Sequence, residues 1–207
     1  IVDISYVDYL CIDTAYRSKK LAPLLISNIR YINNLNDIKS FIFKIEGTPL
    51  PFNYLTRLTY YQLDLTNINL VNNELENIYL IDEKDIDKTY LYVNNYWYEK
   101  SYTIFPIYSK EEFYQKYKNF KGNSKLSYIE KYNENIIGFA TFSIQWINRN
   151  NQKYLGVELI YILSSKDLLK FFKNLLILLK KKFNYLLCLN IMDNNEFIKE
   201  YQFEKGI

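Results

Sequence analysis

Arg17, Ser18, Lys19 and Lys20 stand in one short loop, directly ahead of an apolar-periodic segment that starts at Leu21. Three cations and a hydroxyl at that spacing suit one kind of chemistry, the holding of an anion. Where a loop enters a helix, the first N–H groups have no intrahelical acceptor and the helix dipole adds partial positive charge, so a phosphate-bearing ligand is favoured there. The same residues also read as a solvated surface loop, and the local pattern leaves both readings open. The remaining candidates are carboxylates. Asp8, Asp13 and Glu158 lie in or beside strand-like runs, where each could bind an incoming amine or serve as an ordinary strand-edge or turn residue.

The absence of histidine bounds the catalytic menu. No Ser-His-Asp or Cys-His arrangement can be built, nor a zinc site of the usual kinds, so a general base must be Asp, Glu, Lys, Tyr or a chain terminus. Cys11 and Cys188 each sit in an apolar run and read as small core hydrophobes, a usage that suits a reducing compartment. With no signal-like start, the expected location is cytoplasmic. A net charge of +3 gives no global field for nucleic acid, and Lys180, Lys181 and Lys182 at a helix end complement its dipole. The longest apolar stretches, 154–163 and 171–179, are broken by Glu158 and by Lys173 and Asn174, so no transmembrane segment is expected.

The elements that must position these residues follow from periodicity. A strand-like run at Val7 and Tyr9 to Ile12 breaks at Asp13-Thr14, and Leu21, Leu24, Leu25, Ile29 and Ile32 predict a helix over Lys20 to Tyr31 ending near Asn33-Asn34. Strands are predicted at Phe41 to Ile45 and Arg57 to Leu63, the second with Leu58, Tyr60 and Gln62 on one face. The Asn-rich stretch 64–76 is the expected boundary between two lobes, 1–76 and 77–207. Beyond it come a strand at Ile78 to Ile81, a helix capped by Asp82 and running to about Tyr96, and a short helix, Lys110 to Tyr117, behind a Ser109-Glu112 capping box. Three strands follow, Leu126 to Glu130, Ile136 to Gln145 and Tyr154 to Leu163, joined by hairpin turns. Ser164-Ser165 caps a helix to Lys181, Phe183 to Ile191 reads as a strand covered on both faces, and Asp193 or Asn194 caps a last helix ending near Tyr201.

Three segments resemble the N-myristoyltransferases, acyltransferases that attach a fourteen-carbon chain to an N-terminal glycine. Leu10-Cys11-Ile12 followed by Arg17-Ser18-Lys19-Lys20-Leu21-Ala22-Pro23 is similar to that family's Phe-Leu-Cys-Val strand and Arg-Ser-Lys-Arg loop and helix. Gly47 to Pro51 is similar to its Gly, two apolar residues, Leu-Pro. Met192-Asp193-Asn194, Phe197 and Gln202-Phe203 are similar to its C-terminal signature, and the segments keep their order along the whole chain.

The resemblance implies an α+β, GNAT-like acyl-CoA N-acyltransferase fold, with mixed twisted sheets flanked by helices in two pseudo-symmetric lobes, the first for acyl-CoA and the second for the peptide. It implies that the main-chain N–H groups of Tyr9 and Leu10 form the oxyanion hole. It assigns Arg17, Ser18, Lys19, Lys20, Leu21 and Ala22 to the CoA phosphates, with myristoyl-CoA as acyl donor, no metal, and N-terminal glycine peptides or proteins as acceptors. A monomer is expected. An acetyltransferase loop would carry glycine where Lys20 and Ala22 stand. The family takes its base from its own C-terminal carboxylate, and its opening segment and last strands are expected to lie outside residues 1–207. The alternatives are a non-catalytic acyl-CoA or lipopeptide binding module and an acetyltransferase of the same superfamily.

Overall fold

The computed structural model describes residues 3–7, 12–43, 58–70, 77–100, 102, 105–117 and 124–206. Its contacts divide the chain into two compact units, Ile1–Leu55 and Thr56–Ile207. In the first, β1 (Ile4–Val7) and β2 (Ser40–Phe43) pair in parallel, Ile4 against Ser40 through Val7 against Phe43. A parallel pair needs a crossover. Here it contains a 3₁₀ turn at Thr14–Tyr16, the basic loop, and α1 (Leu21–Leu35). The helix runs through Asn33 and Asn34, because the Asn36 side chain donates to the Ile32 carbonyl at 2.9 Å and closes the last turn.

The second unit is a seven-stranded mixed sheet in the order β4-β5-β6-β7-β8-β3-β9. The strands are β3 (Tyr60–Asp64), β4 (Ile78–Leu80), β5 (Lys125–Tyr132), β6 (Asn135–Arg149), β7 (Gln152–Ser164), β8 (Tyr185–Leu189) and β9 (Glu204–Lys205). All neighbours are antiparallel except β7 and β8, which run parallel because α4 (Leu168–Lys180) carries the chain across between them. The compact units and the lobes read from the sequence are drawn differently, since β3 pairs with β8, Tyr60 opposite Leu189.

Alternation along the strands sends one set of apolar side chains to each face. Phe142, Val157 and Leu186 pack with Phe171 and Leu175 of α4 and Phe197 of α5 (Asn194–Glu200). On the other face, Ile129, Phe139 and Leu163 pack with Val93 and Trp97 of α2 (Ile86–Lys100) and Phe113 of α3 (Lys110–Tyr117). Buried Asp85 is compensated by Lys131 at 2.7 Å, which ties the start of α2 to the β5–β6 hairpin.

Several local expectations change. Asp82 makes no side-chain cap; a 3₁₀ turn, Glu83–Asp85, leads into α2, which reaches Lys100. The cap of α4 is Asp167, accepting from Lys170 N–H at 2.9 Å, while Ser164 still belongs to β7. Both hairpins close in two residues, Asn133-Glu134 and Asn150-Asn151, all four with positive φ, the twist that suits a tight antiparallel turn. The Ser109-Glu112 capping box forms as read: Glu112 accepts from Ser109 N–H at 2.8 Å, and Ser109 Oγ accepts from Glu112 N–H at 3.2 Å.

Candidate functional site

The basic loop of the first unit leads into a helix. Asp13 caps the preceding 3₁₀ turn, its Oδ1 accepting from Ala15 N–H at 2.8 Å, so this carboxylate has a structural role. Arg17 then turns back and its Nε donates to the Ile12 carbonyl at 3.3 Å. Ser18 and Lys20 both adopt left-handed backbone, φ 65° and 57°, and Lys19 Nζ lies 4.9 Å from the Tyr16 ring centre. All four loop residues are exposed, and Leu21 and Ala22 are half-buried. Lys20 occupies the N-cap position of α1, where it supplies no side-chain hydrogen bond, and the first turn holds no acidic residue. Nothing in the helix's own sequence therefore neutralises its positive end. Tyr9 and Leu10, the expected oxyanion donors, lie outside the described residues, as do Asp8, Cys11 and Gly47 to Pro51.

The second unit contains the same order of strand, loop, helix and parallel strand in β7–α4–β8, and there the helix start is treated in the opposite way. Asp167 caps it. A cleft of about 480 Å³ beside it is lined by Lys100 and Lys166 but also by Asp167, Asp193 and Glu196. Tyr102 OH donates to Asp193 at 3.0 Å, and burial together with that carboxylate pushes the Tyr102 phenol well up. Carboxylates outnumber cations in the cleft, so it does not suit a phosphate. Of the two junctions, only that of the first unit has the charge and the uncapped amides for an anion.

Glu158 belongs to a different group of residues. Its oxygens accept from Tyr60 OH at 3.0 Å and from the Gln145 amide. Strand alternation places all three on one face, and the β7–β8 ladder ends there, its last pair being Glu158 and Leu187. Just beyond, the β6–β7 register shifts so that Ile160 is bulged out. Cys188 is buried, and burial followed by the Glu158 charge pushes its thiol up to about 12, which makes it a core hydrophobe rather than a nucleophile. Tyr60 and Gln145 were not candidates from sequence. The available signal was a lone glutamate inside the apolar run Leu155 to Leu163, with Tyr60 and Gln62 alternating on one face of their strand.

No protein-family model matches the chain. A protein of Amsacta moorei entomopoxvirus, provisionally named a glycylpeptide N-tetradecanoyltransferase, is 28% identical over 157 residues, 73% of this chain and 48% of the relative. The structure of Saccharomyces cerevisiae N-myristoyltransferase with bound myristoyl-CoA superposes with a TM-score of 0.75 at 19% identity, covering 97% of this chain and 57% of the yeast chain. The fold is that of the N-myristoyltransferases. It extends to GCN5-related N-acetyltransferases, of which the Kribbella flavida protein gives a TM-score of 0.60 at 8% identity over 99% of this chain and 49% of its own. The α+β, GNAT-like architecture expected from the sequence is therefore present. The chain spans about half the length of the curated N-myristoyltransferase relative it matches. No helix among the described residues is long and apolar enough to cross a membrane.

Proposed function

We propose that this chain transfers a myristoyl group from myristoyl-CoA to the N-terminal glycine amine of a peptide or protein. The observation that carries the proposal is the junction at Arg17 to Ala22, an uncapped helix start preceded by three exposed cations and two left-handed residues. The likeness to N-myristoyltransferases in sequence and fold supports it. Arg17, Lys19 and Lys20 hold the CoA phosphates together with the first helical amides, and Ser18 adds a hydroxyl. The amides of Tyr9 and Leu10 donate to the thioester oxygen as it gains charge. The amine nitrogen forms the new amide as the C–S bond breaks, CoA leaves as the thiolate, and the amine's proton passes to a carboxylate.

No covalent enzyme intermediate and no metal take part. Orientation of the two substrates can supply about 7–11 kcal/mol of the barrier reduction and one oxyanion donor about 3–4 kcal/mol, so histidine is dispensable. The lobe 1–76 serves acyl-CoA and 77–207 the acceptor, and the protein works in the cytoplasm as a monomer without nucleic acid. Incubation with labelled myristoyl-CoA and a glycine-starting peptide tests this. Label on the glycine nitrogen, with free CoA released, is the expected result. CoA-ester binding without transfer would favour a binding module, and a preference for acetyl-CoA over longer thioesters would favour an acetyltransferase.

A further inference from the structure

Among the described residues, several on one face of the seven-stranded sheet belong to neither hydrophobic cluster. Where α2 and α3 pack, that face carries Phe139 and Ile129; further along it carries Gln145, Glu158, Leu187 and Tyr60, all half-buried. Glu158 is the acid among them. Its two oxygens are held from opposite sides by a phenol on β3 and an amide on β6, both neutral donors. No described lysine or arginine pairs with it. Elsewhere the unit compensates such charge, as Lys131 does for Asp85. Neutral donors bring no opposite charge to a half-buried carboxylate, and each of its oxygens has a further lone pair that a cation can use. The Glu158 charge is felt at Cys188, whose thiol it helps to raise.

We infer that Glu158, held in place by Tyr60 and Gln145, is the residue that receives the primary ammonium group of the acceptor peptide. The inference rests on the acyltransfer reading for the identity of the acceptor. The site's preference for an ammonium group follows from its charge. Each carboxylate oxygen has a second lone pair besides the one used by Tyr60 or Gln145, so the group can accept from ammonium donors as well, while Leu187, its partner across the β7–β8 ladder, is an apolar neighbour for a small residue such as glycine.

Titration of the full chain with a short peptide of glycine followed by alanine and serine, free or N-acetylated, tests this. The peptide has no lysine or arginine, so the α-amine is its sole cation. The free peptide is expected to bind at least about tenfold more tightly than the acetylated one, since acetylation removes a charge-assisted contact. Glu158→Gln, which keeps hydrogen-bonding capacity toward Tyr60, is expected to weaken the free peptide to the level of the acetylated one, and Glu158→Asp to retain part of the discrimination. Myristoyl-CoA binding should be unchanged by either substitution. Equal affinity of the wild-type chain for both peptides would overturn the inference without any variant, as would discrimination that survives in Glu158→Gln. Amine discrimination by a chain that binds no myristoyl-CoA would support the ammonium site and sink the acyltransfer reading.

Discussion

Ser18 and Lys20 hold φ near 60° without being glycine. Side chains disfavour that region by about 1–2 kcal/mol per residue, so two such residues within three positions mark a loop whose shape is constrained by more than its own preferences. Lys20→Gly separates the backbone's role from the charge. It is expected to leave the folded chain at least as stable, by up to about 1 kcal/mol in urea unfolding, while weakening CoA binding several-fold in calorimetry, and more at low salt than at high. Retained affinity would remove Lys20 from the phosphate site. The cations themselves were legible in the sequence, because charge type and position before a helix are local facts. The left-handed backbone was not legible, since neither Ser18 nor Lys20 is a residue type that favours positive φ. The grouping of Glu158 with Tyr60 and Gln145 was equally out of reach, as it depends on which strands become neighbours.

At the scale of elements, helix α4 and strand β5 carry the clearest expectations. Asp167→Ala removes the cap of α4 and should cost about 1 kcal/mol, read as a shift in denaturation midpoint with an unchanged slope. Burial, countered by Lys170 and Lys166, raises the Glu130 carboxyl above the ordinary value. The folded chain then binds this proton more readily than the unfolded chain, so the group's contribution to stability falls as pH rises through the carboxylate range. Glu130→Gln should accordingly stabilise at neutral pH and make little difference in acid, with urea unfolding at the two pH values as the check; a gain that is larger in acid would contradict the assignment. Helices α1, α3 and α4 were legible from apolar spacing and, for α3, from its capping box. Strand β9, two residues that pair with β3, carries no period to read, and α4 is capped by Asp167 and not by Ser164-Ser165 because β7 runs on to Ser164.

For the whole molecule, two β–loop–α–β arrangements in one chain handle charge in opposite ways. The Arg17 to Lys20 junction is cationic and uncapped, and the Lys166-Asp167 junction is capped and lined mostly by carboxylates. The fold class was legible through three dispersed segments that resemble those of a known family in order and approximate spacing, while the pairing of β3 with β8 depends on contacts between residues far apart in the chain. The most direct test is calorimetric titration of the full chain with myristoyl-CoA, comparing the wild type, the combined Arg17→Glu, Lys19→Glu and Lys20→Glu variant, and Lys166→Glu. Saturable binding by the wild type and by Lys166→Glu, weakened at least about tenfold in the triple variant while its circular dichroism is retained, is the predicted result. Undiminished binding by the triple variant, or loss of binding on Lys166→Glu alone, would contradict it.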